Sequence, residues 1–258
     1  MTVRELYARL NELIPSSLSC EWDNDGFMCC SDGDRKVKKV LITLDVTSKA
    51  IEKAINEEYD VIISHHPFIY KGIKALDGEN AVSANAIKLI KAGVSVMSFH
   101  TRLDALSGGV NDTLCKLFGL LDVDTVFEEG IPLGRIGSLK EEMSAEDFAK
   151  KVKEILGAPA VILGDAGIPV HRVGILGGSG KGSIEVMMNA GADTFVSGRL
   201  DYHPLTDYPN DAAHPINLIE AGHFYTENPV CKVLADMVRN IDNSISCDLF
   251  YSNTIKVI

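Results

Sequence analysis

Two adjacent histidines, His65 and His66, lie where an apolar segment of the sequence meets Pro67. Residues 61–63 are Val-Ile-Ile, a run typical of a buried strand, and a proline cannot continue a strand's hydrogen-bond ladder. In α/β proteins ligands bind at the carboxyl ends of strands, and imidazole is the commonest metal ligand near neutral pH. A single histidine there usually makes only a local hydrogen bond. A pair, joined by two histidine–carboxylate elements, predicts a metal site.

The two further elements place a carboxylate four residues after a histidine: His100 precedes Asp104, and His223 precedes Glu227. Imidazole and carboxylate without thiolate suit borderline divalent ions such as zinc, manganese, iron, cobalt or nickel. The candidate ligands are His65, His66, Asp104, His223 and Glu227. Five ligands exceed the three protein ligands of a usual catalytic zinc site, and consecutive histidines cannot easily converge on one ion. The sequence therefore favours two ions that share a bridging carboxylate.

Each carboxylate also has a structural alternative. Asp104 could cap the helix that is predicted to follow it. Glu227 precedes Pro229, which favours the first turn of a helix, and an acid there complements the helix dipole. His171 and His214 have no ligand partner at a suitable spacing, so we interpret them as surface or packing residues.

The elements that must position these residues alternate between strand and helix. Apolar runs predict strands at 37–44, 60–64 and 94–99, whereas 47–58 has helical spacing. A later helix is predicted from an N-cap serine and a terminal glycine at the ends of 144–157. Such alternation predicts an α/β fold with mixed, largely parallel sheets.

The chain also contains an internal repeat. Residues 40–64 align without gaps on 173–197, with seven of 25 positions identical. Any two strand–helix–strand units share an apolar pattern, but the ungapped length and the polar matches favour a duplication. A histidine–carboxylate element follows in each part. We therefore predict two related, interdependent α/β halves, 1–130 and 131–258, with the metal site in the cleft between them.

Composition excludes several classes of function. A net charge of −11 and a pI near 5.1 argue against general binding of nucleic acid, which needs a basic surface. A small anionic substrate remains compatible, because bound cations invert the local field. No apolar run approaches the roughly 20 residues of a membrane helix, and the N-terminus lacks the apolar core of a signal peptide. Six scattered cysteines are typical of reduced thiols and predict a cytoplasmic protein.

Four motifs occur in a characteristic order along the chain. They are WDNDGF at 22–27, SHHPFIY at 64–70, HTRLDALSGGVND at 100–112 and GHFYTE at 222–227. In this order and spacing the chain resembles the family named for the NGG-one interacting factor three, also described as GTP cyclohydrolase I type 2-like. The resemblance extends over nearly the whole chain, and its combination of motifs is specific.

This resemblance assigns a role to each candidate ligand. It implies that His65 and Asp104 bind one metal ion, that His66 and His223 bind the other, and that Glu227 bridges both. It also implies a homohexameric, ring-like assembly whose metal sites face an internal cavity.

The expected function is a dinuclear metal-dependent hydrolase that acts through a metal-bridging hydroxide. A nucleotide, in a GTP cyclohydrolase-like reaction, or a phosphoester is the expected substrate class. His100 is expected to shuttle protons or to orient a ligand. The alternative is a non-catalytic, metal-binding, ring-shaped scaffold or interaction protein. Arg199 stands where the family commonly has glutamate, either to bind an anion or as a local variation.

Overall fold

The computed structural model describes residues 1–258 and shows the predicted alternation of helices and strands. The strands are β1 (Gly26–Cys29), β2 (Lys39–Thr43), β3 (Val61–Ser64), β4 (Ser95–Ser98), β5 (Leu121–Glu128), β6 (Ile131–Met143), β7 (Ile162–Gly164), β8 (Val170–Ser179), β9 (Thr194–Arg199), β10 (Asn217–Glu220) and β11 (Ser246–Phe250). The helices are α1 (Val3–Leu13), α2 (Ser48–Asn56), α3 (Ala81–Ala92), α4 (Thr101–Ala105), α5 (Val110–Phe118), α6 (Ala145–Leu156), α7 (Ile184–Asn189), α8 (Tyr202–Asp207), α9 (His223–Glu227) and α10 (Val230–Ile241).

The chain divides into two compact units. The first consists of Met1–Leu103 and Val230–Thr254, and the second consists of Asp104–Pro229 and Ile255–Ile258. The first unit is discontinuous in sequence because α10 and β11 return to it, where β11 pairs with β2.

These boundaries differ from those of the predicted halves, 1–130 and 131–258. The predicted halves describe a duplication of sequence, which stays a prediction, whereas the units follow the packing of the chain. No helix of the chain is both long enough and apolar enough to cross a membrane.

The first unit is built on a five-stranded sheet in the order β1-β4-β3-β2-β11. All neighbouring strands run parallel except β1, which pairs with β4 in the antiparallel sense. Strands β2, β3 and β4 have almost no exposed surface, and α2 and α3 pack their apolar residues against them. Burial on both faces explains why these strands are continuous apolar runs rather than alternating ones.

The second unit is built on a six-stranded sheet in the order β5-β6-β8-β9-β10-β7. Its central strands β8, β9 and β10 are parallel, and the flanking strands are antiparallel. The β5–β6 hairpin turns through Glu129 and Gly130, both with positive φ, as a type I′ turn requires. The predicted α/β fold with mixed sheets is therefore confirmed, and the strands at the centre of both sheets are parallel.

Local signals in the sequence set the ends of α2 and α6. Thr47 caps α2 by accepting a hydrogen bond from the amide of Ala50. Ser144 does the same for α6, which ends at Gly157 in the left-handed conformation that glycine adopts without strain. These caps determine where the two helices begin, and the glycine determines where α6 ends.

Candidate metal centre

The two adjacent histidines are held by the parallel ladder that continues beyond β3. The amide of His65 donates to Thr43 O at 3.3 Å, and the amide of His66 donates to Leu44 O at 3.0 Å. The backbone therefore stays paired with the segment after β2 although the regular strand has ended. Both imidazoles emerge at the carboxyl edge of the first sheet, as the sequence predicts.

His65 is completely buried, and its ring orientation is fixed by a backbone carbonyl. Nδ1 lies 3.0 Å from Phe99 O, in the segment that follows β4. A carbonyl oxygen only accepts, so Nδ1 carries the ring hydrogen and the lone pair of the neutral imidazole lies on Nε2. This is the tautomer that a histidine ligand needs when it binds a metal ion through Nε2.

His66 is oriented in the same way by a carboxylate. Its Nδ1 lies 2.7 Å from Asp45 Oδ1, in the loop that follows β2. The imidazole side chain is 22% exposed, and the carboxylate is more accessible at 46%. An ionised carboxylate only accepts hydrogen bonds, so the lone pair of the neutral ring again lies on Nε2.

His100 is also oriented by a carboxylate, and this carboxylate is itself held by further hydrogen bonds. Its Nδ1 lies 2.9 Å from Asp23 Oδ1, while its amide donates to Asp25. Asp23 also accepts from the amide and hydroxyl of Thr101. Burial acts to raise the pKa of Asp23, but the hydrogen bonds from His100 and Thr101 outweigh it and lower the pKa to about 2. This carboxylate therefore stays ionised and keeps a hydrogen on Nδ1 of His100.

These three imidazoles form a cluster within the first unit. The ring centroids are 5.0 Å apart for His65 and His66, 5.3 Å for His65 and His100, and 5.6 Å for His66 and His100. One ring nitrogen of each residue lies within 4.8 Å of the others. Three neighbouring imidazoles suit a borderline divalent ion. The sequence placed His100 outside the ligand set, and the structure brings its ring beside the two predicted ligands.

In the second unit, His223 and Glu227 lie one turn apart on the short helix α9. His223 Nε2 is 2.9 Å from Glu227 Oε2, with the imidazole 45% exposed and the carboxylate only 4% exposed. A carboxylate this buried needs a cation or several donors, since desolvation of an ionised group is costly. Its pairing with the imidazole is direct, and the pair supplies the nitrogen and oxygen donors that the sequence predicts.

Glycines make the space in which this buried carboxylate lies. Gly178 has a φ of +68°, and a Cβ atom there would collide with Glu227 Oε1. A Cβ atom on Gly198 would lie 2.7 Å from His223 Cα and 2.6 Å from the hydroxyl of Thr226. The absence of side chains at the ends of β8 and β9 therefore lets α9 approach the sheet edge.

Asp104 lies in α4, and its backbone is tied into the second unit through Asn111. The Asn111 side chain donates to Asp104 O at 3.2 Å and accepts from the amide of Gly177 at 2.8 Å. Helix α5 has Gly109 at its N-cap, without a side-chain cap. The alternative that Asp104 caps the following helix is therefore wrong, because that helix begins several residues later.

The remaining polar candidates lie outside these donor sets. Arg199 Nε is 2.9 Å from Asp201, which also pairs with Lys181 at 3.3 Å. His171 and His214 are exposed, in agreement with their interpretation as surface residues. The sequence did not reveal that Asp23 and Asp45 orient histidines; both lie in loops that the fold brings beside residues far away in sequence.

Comparison with known proteins gives consistent relatives over almost the full length. The chain is 30% identical over 243 residues to a GTP cyclohydrolase 1 type 2 homolog of Clostridium acetobutylicum, covering 91% of this chain and 88% of that protein. It is 31% identical over 251 residues to the protein NIF3 homolog of Schizosaccharomyces pombe, covering 90% and 88%.

Among solved structures, a hypothetical protein of Staphylococcus aureus matches with a TM-score of 0.88 at 28% identity, covering 100% of this chain and 99% of that one. The family model described as Duf34/NIF3 (NGG1p interacting factor 3) matches residues 1–256. The resemblance carried by the four motifs is thereby confirmed, and the chain belongs to the Duf34/NIF3 family.

Proposed function

We propose that this protein binds two divalent metal ions and uses them to hydrolyse a small anionic substrate. The proposal rests chiefly on the imidazole cluster, in which each Nδ1 hydrogen is donated to an oxygen and each neutral Nε2 keeps its lone pair. The family resemblance supplies the ligand assignment. In it, His65 and Asp104 bind one ion, His66 and His223 bind the other, and Glu227 bridges them.

The donor set fits such ions by its chemistry. It contains imidazole nitrogens and carboxylate oxygens without thiolate, which suits zinc, manganese, iron, cobalt or nickel. The oxygen partners at Phe99 O and Asp45 are the kind of support that histidine ligands of metal sites have. When bound, a pair of divalent ions would acidify a water molecule and polarise an oxygen of the substrate.

His100 is the residue of this site best placed to move a proton. Asp23 remains ionised and holds the hydrogen on Nδ1, so a proton is accepted or released at Nε2 of His100. A histidine with a supporting carboxylate is a common arrangement for general acid–base catalysis. Both carboxylate oxygens of Asp23 are engaged, one by His100 and one by Thr101, so the ring cannot easily rotate away.

The relatives suggest the substrate class. The Clostridium relative is named a GTP cyclohydrolase 1 type 2 homolog. Hydrolytic opening of a purine ring and hydrolysis of a phosphoester both need an activated water, and both substrates are anionic. The acidic charge of −11 opposes binding of a nucleic-acid polymer more than that of a small nucleotide held beside cations.

We also propose, from the resemblance alone, that six copies of the chain assemble. The mass in solution, measured by light scattering, tests this directly. A mass of six chains supports the assembly, and a monomer contradicts it.

The variant Glu227→Gln tests the proposed function. Replacing the buried carboxylate removes the negative charge that would bridge two cations, so turnover should be abolished and metal content should fall. His171→Gln is the matched control, because this exposed residue should change neither quantity. The assays are elemental analysis and turnover on nucleotide, phosphoester and amide panels.

Unchanged turnover and metal content in Glu227→Gln would contradict the assignment of the bridge. A wild-type protein that binds metal but hydrolyses none of these panels would favour the alternative function, a metal-binding scaffold.

A further inference from the structure

The chain's single tryptophan, Trp22, is an exposed ring in the loop before β1. Its relative exposure is 62%, and Tyr70, in the loop after the histidine pair, is 52% exposed. The two rings meet edge to face, with centroids 6.5 Å apart and an interplanar angle of 73°. Two aromatic rings from distant parts of the sequence thus form one exposed aromatic pair.

This aromatic pair adjoins the imidazole cluster. The ring centroids of Trp22 and His100 are 6.1 Å apart, with an interplanar angle of 75°. His100 in turn lies 5.3 Å from His65 and 5.6 Å from His66. Trp22 contacts both neighbours edge to face, and with 62% of its surface exposed most of the indole stays open to a ligand.

The backbone around Trp22 is fixed, so its exposure does not result from a loose loop. The amide of Cys20 donates to the Thr101 hydroxyl at 2.9 Å, and the amide of Asp23 donates to Cys20 O at 3.0 Å. The side chain of Asn24 donates to Ile69 O and so ties this loop to the one that carries Tyr70. The backbone that carries both aromatic residues is therefore held in place before any ligand arrives.

The surroundings fit a single planar ring better than an apolar protein surface. Glu21, Asp23, Asn24 and Lys71 flank the two aromatic residues in sequence. A protein interface needs a continuous apolar centre, whereas one heteroaromatic ring needs only an aromatic face and nearby polar groups. Planar rings stack on tryptophan and tyrosine irrespective of their detailed hydrogen-bonding pattern.

We infer that the heteroaromatic ring of the substrate stacks on Trp22, with Tyr70 against its edge, and that this directs its reacting group to the imidazole cluster. This inference rests on the proposed hydrolytic function and narrows its substrates to molecules that carry a planar heterocycle. Substrates that consist only of a phosphoester on an aliphatic group would not use this site.

Trp22 reports on its own occupancy, because it is the only tryptophan of the chain. GTP is titrated into metal-loaded wild-type protein while tryptophan fluorescence is recorded, with inorganic triphosphate as the ring-free control. We expect saturable quenching by GTP, and no quenching by triphosphate at equal concentration. Quenching of equal size with both probes, or calorimetric binding of GTP without quenching, would overturn the inference.

Variants separate this role from a structural one. Trp22→Ala should weaken GTP binding on the order of ten-fold, because it removes the aromatic face on which the ring stacks. Trp22→Phe keeps an aromatic face and should restore most of the affinity. The matched control is Tyr251→Ala, which removes a 57% exposed ring at the end of β11.

Metal content distinguishes failure of this inference from failure of the proposed function. Trp22→Ala should retain the metal content of the wild type, because an exposed ring leaves no cavity when it is removed. If the wild-type protein binds metal but Trp22→Ala binds GTP as tightly as the wild type, the stacking site is wrong and the metal site stands. If Trp22→Ala alters only the mass of the assembly, the aromatic pair is a subunit contact and the inference is overturned.

Discussion

In both units a strand, a helix and a second strand follow one another, and the two strands pair in parallel with the same register. Thr43 lies opposite Ser64 in the first sheet, and Leu176 lies opposite Ser197 in the second. Beyond these equivalent serines the two edges differ. The first continues with two histidines, whereas the second continues with Gly198-Arg199.

The loop after the preceding strand differs in a matching way. In the ungapped alignment of 40–64 with 173–197, Asp45, which orients His66 in the first unit, corresponds to Gly178 in the second. Gly178 leaves room for Glu227, whose oxygen a side chain at this position would displace. In the first sheet, the proposed metal-binding donors are therefore histidines at the end of a strand, and oxygen acceptors orient their rings. In the second sheet, glycines at the strand ends leave space for helix α9, which carries the donors to the sheet edge.

An aspartate at the same position in both strand–helix–strand segments supports their equivalence. Asp60 accepts hydrogen bonds from the amides of Lys38 and Lys39 in the first unit. In the second unit, Asp193 accepts from the amides of the corresponding residues, His171 and Arg172. The two strand–helix–strand segments therefore agree at the amino ends of their strands, where the aspartate bonds only to backbone amides. They differ at the carboxyl ends, where ligands bind in folds of this class.

The largest effect is expected when the glycine of the second edge is given a side chain. Gly178→Ala places a Cβ atom against Glu227 Oε1 at a φ of +68°. We expect loss of most of the bound metal and a fall in the free energy of unfolding greater than the roughly 1–2 kcal/mol cost of a left-handed alanine. Elemental analysis and urea unfolding measure the two effects.

Gly167→Ala is the matched control, because Gly167 has a φ of +71° and a Cβ atom added there would meet no other atom within 4 Å. It should show only the backbone cost and keep its metal. Equal metal content and equal stability in the two variants would contradict the role of Gly178 as space for the carboxylate.

At the first edge, removal of an orienting oxygen should have a smaller effect than loss of a ligand. Asp45→Ala leaves His66 in place but removes the acceptor of its Nδ1 hydrogen. Metal affinity should fall by roughly 10–100-fold, the usual effect of losing such a partner. Competition with a chelator of known affinity measures this, and Asp34→Ala, at an exposed carboxylate 4.0 Å from Arg4, should have no effect.

The weakest predicted effect concerns pH. The pKa of Asp23 is about 2 against an ordinary value of 3.8, so the carboxylate stabilises the fold above about pH 4, and this contribution is lost as the pH falls towards 2. In metal-free protein, Asp23→Asn should lower the free energy of unfolding by up to about 2 kcal/mol near neutral pH, and by less near pH 3. Urea unfolding at both pH values measures the difference, which should not stay constant.

The helices, the strands and the candidate metal ligands could be predicted from the sequence, because apolar runs, helix caps and histidine spacing depend only on neighbouring residues. The two histidine–carboxylate elements look equivalent in sequence, but they do not lie at corresponding positions in the two units. Register aligns Ser98 with Glu220, so His223 corresponds to Thr101 and not to His100. A shift of one residue rotates a side chain by about 100° around a helix, so the two elements are similar in spacing but not equivalent in position.

Long-range partners were beyond the reach of the sequence for a different reason. Asp23 contacts His100, 77 residues away, and Asn111 contacts Gly177, 66 residues away. Such pairs depend on how the loops at a sheet edge come together, which no periodicity encodes. The glycines around Glu227 leave space for a side chain that is distant in sequence, and no local pattern indicates such a function.

Metal stoichiometry by elemental analysis, on protein purified without a histidine tag and with His66→Ala measured in parallel, tests directly whether the chain binds two ions. We expect about two divalent ions per chain in the wild type and a lower content in the variant, since His66 is a proposed ligand of one ion. A wild-type protein that contains no metal, and takes up none when incubated with zinc, manganese or iron, would contradict this expectation.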